Sequence, residues 1–464
     1  MKKLVGHLII FLIFSAFLTS CSTLGGGSSF KLRKYKEEVW GNGLKVIYIK
    51  DDSLPLTSLH LLVDAGQRRE PEAKSGLAAF VGELFTKGTV KLPAEKLSEE
   101  LSERAIDIKF SVDSDYVMMT ANSLTRQKEE MADYFSSVLL QPRFSKKELN
   151  RLKKITLSQL QKTVDYPKQL VGQAYSEAIF GDHPYGKRSA GKVRDVQSFK
   201  RKDILRFYRR YYRPNQSMLA IVGNYDEKFV QQLKKNLSPW KNRVVKPYSY
   251  PKLSKTKGIE VQLIDKPDLK QTQIRMGHLG IDRKDKDFLS LRIANTILGG
   301  AFFSRLNKEI RIKRGLTYSI RSTSSSGIDK GAITVSTFSR HEKVGETIEQ
   351  TLVLLKDFVS RGVTDQEVKD TKGLLKGRFP RMLETPESLA YNLLILKFYG
   401  ISEDYLTDYL GDISSLSASD VNRAIQKHFS PDNIKITVYT SKKKVIQQLR
   451  PIGVVKVKSY KDYL

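Results

Sequence analysis

Cysteine is almost absent from the sequence: Cys21 is the only one among 464 residues. A single cysteine excludes an intrachain disulfide. The chain also has no G-x-S-x-G segment, the strand-to-helix turn that exposes the serine of many hydrolases. These two absences argue against a hydrolase that acts through its own cysteine or serine nucleophile.

Histidine is also scarce, and no histidine lies three or four residues from another. A helical zinc site commonly uses two imidazoles one turn apart, which this spacing does not provide. Solitary histidines are mostly structural or surface residues, so we expect no metal bound to this chain. The six are His7, His60, His183, His278, His341 and His428.

No apolar run is long enough to span a membrane. The longest lies in residues 1–21, where two lysines precede an apolar stretch from Leu4 to Leu18, as in a secretion signal. The stretch ends in Leu-Thr-Ser-Cys at 18–21, which resembles the lipobox of bacterial lipoproteins. That resemblance implies cleavage before Cys21, acylation of Cys21 and, with Ser22 following, an outer-membrane protein that faces the periplasm. The alternative is a plain secretory signal with an incidental cysteine.

Acidic residues are outnumbered, with 50 Asp and Glu against 80 Lys and Arg, a formal net charge of +30. Such a charge favours acidic partners or anionic lipid headgroups. The basic residues are spread along the chain and belong to no recognised nucleic-acid module, so we expect a solvated lysine-rich surface and no nucleic-acid partner.

What the chain does contain is a long internal repeat. "YYRPNQSMLAIVGNYDEKFVQQL" (211–233) returns as "HFSPDNIKITVYTSKKKVIQQL" (428–449), and "FSKKELNRLKK" (144–154) returns as "VTDQEVKDTKG" (363–373). "GQRREPE" (66–72) is echoed more loosely by "GIDRKDK" (280–286). Each second copy starts slightly more than two hundred residues after the first, which indicates a duplicated domain. The pair at 144 and 363 also predicts a capping box, a Ser or Thr with Glu three residues on, at each helix start.

Each copy mixes strands and helices without a β-α-β rhythm. This pattern predicts two homologous α+β sandwich domains, each a mostly antiparallel sheet with helices on one face. The predicted divisions are a signal (1–21), a tether (22–33), an N-terminal domain (34–241), a linker (242–258), a C-terminal domain (259–450) and a tail (451–464).

Five stretches occur in the order found in one protein family. They are "DAGQRREP…SGLAAF…FTKGT", "FGDHPYGKRSAG", "YYRPNQSMLAIVGNYD", "LRIANTILGGAFFSRLNKEIR" and "RGLTYSI". Together they resemble the insulinase-like metallopeptidases, the pitrilysin and mitochondrial-processing-peptidase family, along nearly the whole mature chain. The resemblance implies two homologous domains that form half of a clam-shell around an unfolded peptide, with zinc on one half.

The zinc motif of that family, H-x-x-E-H, is missing. When "GLAAF" and "KGT" are aligned with the family, the two histidine positions fall on Ala79 and Glu83, and the catalytic glutamate falls on Gly82. The third ligand of the family falls on Gln159. One carboxylate and one amide are too few donors for a tight zinc site. The small residues are expected to leave room in the cavity.

The substrate clamp of the family is present. An arginine and a tyrosine seven residues apart around Gly-Leu-x-Tyr match Arg311 and Tyr318, and both side chains can donate to the oxygen of a scissile carbonyl. Simpler roles remain open: Arg311 could pair with Glu309 or a distant acid, and Tyr318 could pack in a strand. By resemblance, Gly299 and Gly300 approach a strand edge that pairs with substrate.

The sequence therefore supports two functions. In the first, the chain is the non-zinc subunit of a heterodimeric zinc peptidase, with zinc and H-x-x-E-H on a homologous partner subunit. In the second, it is a catalytically inactive, membrane-tethered scaffold or peptide-binding protein. In both cases we expect an unfolded peptide ligand, a lipid anchor in the membrane and no cofactor in this chain.

Overall fold

The computed structural model describes residues 32–464. The predicted signal with Cys21, and the tether up to residue 31, lie outside the described residues. Within residues 32–464, no helix combines the length and the apolar composition that crossing a lipid bilayer requires.

The first repeat forms a six-stranded sheet in the order β1-β2-β6-β3-β5-β4, in which only the β2–β6 pair is parallel. Its strands are β1 Lys36–Val39, β2 Lys45–Lys50, β3 Leu56–Val63, β4 Asp107–Val112, β5 Val117–Leu124 and β6 Ser217–Gly223. Its helices are α1 Leu77–Phe85, α2 Ala94–Glu103, α3 Lys128–Leu140, α4 Lys146–Lys162, α5 Pro167–Phe180, α6 Val193–Ser198, α7 Arg201–Tyr211 and α8 Glu227–Leu237.

The second repeat forms an equivalent sheet in the order β12-β7-β11-β8-β10-β9. Its strands are β7 Glu260–Asp265, β8 Thr272–Leu279, β9 Ile320–Ser324, β10 Ala332–Ser339, β11 Lys435–Thr440 and β12 Val454–Ser459. Its helices are α9 Phe288–Asn295, α10 Val344–Arg361, α11 Asp365–Arg378, α12 Pro386–Tyr399, α13 Asp404–Ser415, α14 Ala418–His428 and α15 Lys442–Leu449, with wider π-helical turns at Thr296–Gly300 and Asn307–Lys313. The duplicated α+β fold with mostly antiparallel sheets is thereby confirmed.

Each sheet is covered on both faces, whereas the sequence led us to expect helices on one face. Side chains of the first sheet alternate: Val46 packs against the helices of its own repeat, and its neighbour Ile47 packs against α12 of the second repeat. In return, α5 of the first repeat packs on β11 and β8 of the second sheet. The two repeats have therefore exchanged one helix each, which removes both apolar sheet faces from water.

The segment predicted as a tail, 451–464, is part of the second sheet. Within it, β12 pairs in parallel with β7 from Val454↔Glu260 to Ser459↔Asp265. Its alternating Val-Lys pattern suits an edge strand, because exposed lysines discourage pairing with another chain.

Candidate functional site

Helix α1 carries three of the four positions that form the zinc site in the family. A buried carboxylate, that of Glu70, binds the backbone at the N-terminal end of this helix. Gly76 precedes the helix with φ 90°, a left-handed conformation that glycine adopts without strain. The Oε1 atom of Glu70 accepts from the backbone N–H groups of Gly76 (3.1 Å) and Ala78 (3.0 Å). Burial raises the pKa of Glu70 to about 8, although these two hydrogen bonds and nearby Lys187 act in the opposite direction.

The four family metal positions do not form a ligand set. Ala79 is half-buried and Gly82 is buried, and neither has a donor atom in its side chain. Glu83 is exposed on α1, and Gln159 is exposed on α4. One carboxylate and one amide do not fit zinc, which takes three or four protein ligands.

Gly82 does not leave free space, contrary to the expectation from the sequence. A Cβ atom at this position would lie 3.1 Å from Cγ2 of Val112 and 3.6 Å from Cβ of Phe110, both on the edge strand β4. The missing side chain instead lets α1 pack directly against β4, so the glycine has a packing role.

One group of three potential metal ligands does occur among residues 32–464, at a place that the sequence did not indicate. Asp285, Asp287 and His428 place one ligand atom each within 4.8 Å of one another. However, Oδ2 of Asp287 already contacts Nε2 of His428 and accepts from Nζ of Lys427, both at 2.7 Å. An ammonium group inside the cluster makes it an ion-pair contact between α9 and α14.

The predicted clamp residues are brought together. The guanidinium carbon of Arg311 lies 5.1 Å from the ring centroid of Tyr318 and 5.3 Å from that of Phe302, within cation–π distance of both. Tyr318 is 78% exposed and Phe302 is 70% exposed. The cluster therefore places a half-buried cation between two exposed aromatic rings, one of which carries a phenol.

The simpler roles that the sequence left open do not account for these two residues. Glu309 accepts from Nζ of Lys313 at 2.6 Å, so it is already paired. Across the described part of the chain, the side chain of Arg311 has no ion pair and no hydrogen bond, and Tyr318 lies just before β9 and not inside it.

Gly299 and Gly300 have different environments. Gly299 is buried, and a Cβ atom there would lie 2.4 Å from the backbone N of Ser322, so the glycine lets the turn after α9 touch β9. Asn295 reinforces this contact by donating to the carbonyl of Ser322 at 3.3 Å. Gly300 is exposed beside it. The helix thus approaches an edge strand, as predicted, and the contact that Gly299 makes is packing within the chain.

A polar cluster that sequence reasoning missed fixes the two repeats relative to each other. Asp115 is 1% exposed and accepts from the hydroxyls of Tyr185 and Tyr250, both at 2.7 Å, and from the N–H of Ile328. These partners come from the first repeat, the linker and the second repeat, so no local pattern could have indicated them.

His183 belongs to the same contact between repeats. Its Nε2 atom lies 3.2 Å from Oδ2 of Asp329, and its ring stacks on Tyr250 at a centroid distance of 5.1 Å. Burial lowers the pKa of His183, although Asp329 acts in the opposite direction. His183 also caps the short turn Pro184–Gly186, its Nδ1 atom accepting from the backbone N–H of Tyr185 at 3.2 Å.

Two family descriptions match consecutive parts of the chain. "Insulinase (Peptidase family M16)" matches residues 45–192, and "Peptidase M16 inactive domain" matches residues 198–375. Among curated relatives, the uncharacterized zinc protease YmxG of Bacillus subtilis is 23% identical over 84% of this chain and 95% of its own length. The non-peptidase homolog YmxG of Helicobacter pylori is 25% identical over 86% of this chain and 92% of its own length.

Solved structures share the fold. A peptidase M16 inactive domain from Pseudomonas fluorescens superposes with a TM-score of 0.82 at 23% identity, covering 88% of this chain and 98% of that one. A protease from Helicobacter pylori gives a TM-score of 0.80 at 20% identity, covering 88% and 100%. With its duplicated domains, its matching segments and these relatives, the chain belongs to the insulinase-like metallopeptidases, peptidase family M16.

Proposed function

We propose that this chain is the non-zinc subunit of a heterodimeric zinc peptidase and supplies Arg311 and Tyr318 to a site whose H-x-x-E-H motif lies on a homologous partner subunit. The observation that carries the proposal is an asymmetry. Among the described residues, half-buried Arg311 and exposed Tyr318 are adjacent and have no ion-pair or hydrogen-bond partner, whereas the metal positions of α1 hold no ligand set.

The comparisons support the absence of activity in the chain alone. The inactive-domain description and the similarity to a non-peptidase homolog fit a pseudopeptidase, a peptidase-like chain without its own zinc. The chain is also similar in sequence to relatives named as zinc proteases, which is the kind of chain that a partner subunit would be.

The clamp chemistry follows from its donors. The guanidinium N–H groups of Arg311 and the O–H of Tyr318 both donate, and a peptide carbonyl oxygen accepts. Donors aimed at this oxygen stabilise the negative charge that develops on it during hydrolysis. Stacking on Tyr318 and Phe302 restricts the arginine, so less side-chain entropy is lost when peptide binds.

Reconstitution tests this function. The purified chain alone is expected to cleave no peptide, and mixing it with an H-x-x-E-H homologue from the same cell is expected to produce cleavage of an unfolded peptide. Arg311→Ala and Tyr318→Phe should each lower kcat of the mixture, by about 10²-fold for the loss of an oxyanion donor. Arg314→Ala, an exposed arginine three residues away, is the control and should leave kcat unchanged. Full activity in both clamp variants would contradict the assignment.

A second candidate function is a catalytically inactive scaffold or peptide-binding protein. The similarity to the non-peptidase homolog favours it, since that name makes no reference to a catalytic partner. In this case the chain still binds unfolded peptide, but no homologue restores cleavage. A pull-down from the native membrane distinguishes the two, because only the first function predicts that a zinc-containing homologue copurifies.

We also propose that the chain is anchored to the outer membrane through Cys21 and faces the periplasm. Its support is the Leu-Thr-Ser-Cys segment at 18–21. Cys21→Ala is expected to abolish incorporation of radiolabelled palmitate and to release the protein from the membrane fraction. Thr23→Ala, two residues on, should leave both unchanged. Membrane retention of unlabelled Cys21→Ala protein would contradict a lipid anchor.

A further inference from the structure

A row of polar side chains crosses the second sheet close to the clamp. Strand register places Arg321 of β9 opposite Ser336 of β10, Ser336 opposite Arg275 of β8, and Arg275 opposite Thr437 of β11. Residues directly opposite each other lie on the same face of a sheet, with Cβ atoms about 4.5–5.5 Å apart. Two arginines and two hydroxyls therefore line up on one face.

This row runs from a buried region out to the open edge of the sheet. Helix α5 covers the inner strands: the hydroxyl of Tyr175 on α5 lies 3.4 Å from Oγ1 of Thr334, the residue two before Ser336. Ser336 and Arg275 are half-buried, and Arg321 on the outermost strand is exposed. The row thus ends at an exposed arginine, three residues along the chain from Tyr318.

The charges of the two arginines in this row are uncompensated. Among residues 32–464, neither Arg275 nor Arg321 forms an ion pair or a side-chain hydrogen bond. Burial and the charge of Arg321 hold the pKa of Arg275 below its ordinary value, with only the phenol of Tyr175 acting in the opposite direction. A half-buried guanidinium normally has an acceptor for its five N–H groups, so these donors lack a partner.

The inner end of the row has a second unsatisfied group. Thr437 is fully buried, and its Oγ1 has no hydrogen-bond partner in the described part of the protein. Buried hydroxyls are normally hydrogen-bonded, but Thr437 has no exposed surface and lies three strands in from β9, so it is out of reach of a ligand at the open edge of the sheet.

We propose that Arg275 and Arg321, assisted by Ser336, bind a carboxylate of the peptide that is held at the Arg311–Tyr318 clamp. This inference rests on the proposed function and adds a substrate class to it: peptides with an acidic residue, or a free carboxyl terminus, next to the clamped bond. Arginine forks match the two oxygens of a carboxylate, and hydroxyls add further donors.

The position of β9 explains how a peptide would reach this row. It is an edge strand, and among the strands of residues 32–464 it pairs only with β10. A peptide that runs alongside it from Tyr318 places every second side chain over the face that carries Arg321. A negatively charged side chain is then favoured at the position of the peptide that lies over Arg321.

Peptide binding to the full chain, with its proposed partner subunit present, tests the inference. The probes are fluorescein-labelled ten-residue peptides of Ser, Thr and Val with Asp, Asn or Lys at one position, each with a free or an amidated carboxyl terminus. Fluorescence anisotropy is expected to give about tenfold tighter binding for Asp than for Asn, as for one charge-assisted contact. The Lys peptides should bind more weakly than the Asn peptides. A preference that needs the free terminus instead identifies the chain end as the source of the carboxylate.

Variants separate this inference from the proposed function. Arg321→Gln and Arg275→Gln should reduce the preference for Asp to less than about twofold and leave binding of the Asn peptide unchanged. Arg126→Gln, an exposed arginine of the first repeat, is the matched control. Because Arg321 is exposed, its variant is expected to fold even if Arg275→Gln does not.

Equal binding of Asp and Asn peptides would overturn the carboxylate site while peptide binding, and with it the proposed function, stands. Persistence of the preference in Arg321→Gln would also overturn the site. Failure of every peptide to bind would contradict the proposed function itself.

Discussion

Replacing Glu70 by glutamine tests how the first turn of α1 is held. Glutamine keeps the size of the side chain and an oxygen for the N–H groups of Gly76 and Ala78, but it cannot ionise. The structure places this carboxyl group in the interior, where its pKa is about 8 instead of the ordinary 4.5. The folded protein therefore binds a proton that the unfolded chain releases at neutral pH.

The sign and size of the effect follow from linkage. Below pH 4.5 both states are protonated, so Glu70 adds no pH dependence. Between pH 4.5 and pH 8 only the unfolded chain is ionised, so the free energy of unfolding falls by about 1.4 kcal/mol per pH unit. The loss between pH 6 and pH 8 is about 2 kcal/mol from this group alone, and it levels off above pH 8.

Urea unfolding at pH 6, 7 and 8, followed by circular dichroism, measures this loss. The difference between the unmodified protein and Glu70→Gln should change by about 2 kcal/mol over this range, whatever constant offset the amide introduces. Glu83→Gln, on the exposed face of the same helix, is the control and should follow the unmodified protein. If Glu70→Gln shows the same pH dependence as the unmodified protein, the carboxyl group is not a buried neutral acid and the reasoning fails.

Three other predictions concern packing, the contact between repeats, and metal. Gly82→Ala alone should change the free energy of unfolding by less than about 1 kcal/mol, since the gain in helix propensity is opposed by contact with Val112. In a Val112→Ala background the same change should stabilise the protein by about 1 kcal/mol. Equal effects in both backgrounds would refute the contact. Asp115→Asn should lower the free energy of unfolding by about 2–4 kcal/mol, because the hydroxyls of Tyr185 and Tyr250 lose a buried charged acceptor. Asp182→Asn, at an exposed position, is the control and should have little effect. Similar losses in both variants would contradict the role of Asp115. Addition of zinc chloride to the purified chain should leave Tm unchanged, because the metal positions of the family form no ligand set here. A ligand that binds the folded state would raise Tm. A rise that disappears in Glu83→Ala would show that α1 holds metal.

Local sequence signals predicted the repeat and its helices well. From Leu77 to Phe85 apolar residues recur every three or four positions, the spacing of one face of a helix, and these residues form α1. The box at Thr364 is reciprocal, with Glu367 accepting in return. At the equivalent position Ser145 accepts from the N–H of Glu148, but the return bond is not formed. Glu148 is 5% exposed there and its Oε2 atom lies 3.8 Å from Nη1 of Arg151, so the same local pattern leads to different contacts at the two sites.

That Arg311 and Tyr318 lie side by side could be predicted, because they lie seven residues apart in one segment. The row of Arg275, Ser336 and Arg321 could not, since its members come from different strands and meet only through sheet register. Gly82 shows a different limit: the sequence led us to expect free space there, and only the structure shows that β4 occupies it.

Because α5 and α12 are exchanged between the repeats, each repeat depends on the other for its folded structure. A polypeptide that ends in the linker would contain α5 without the sheet on which it packs, and one face of its own sheet would be exposed to water. Neither half is therefore an autonomous folding unit. We expect the two halves to unfold in a single step, and we expect fragments cut within 242–258 to be stable only when both are present together. The same arrangement offers a route to intertwined dimers, in which a crossing helix is supplied by a second copy of the chain.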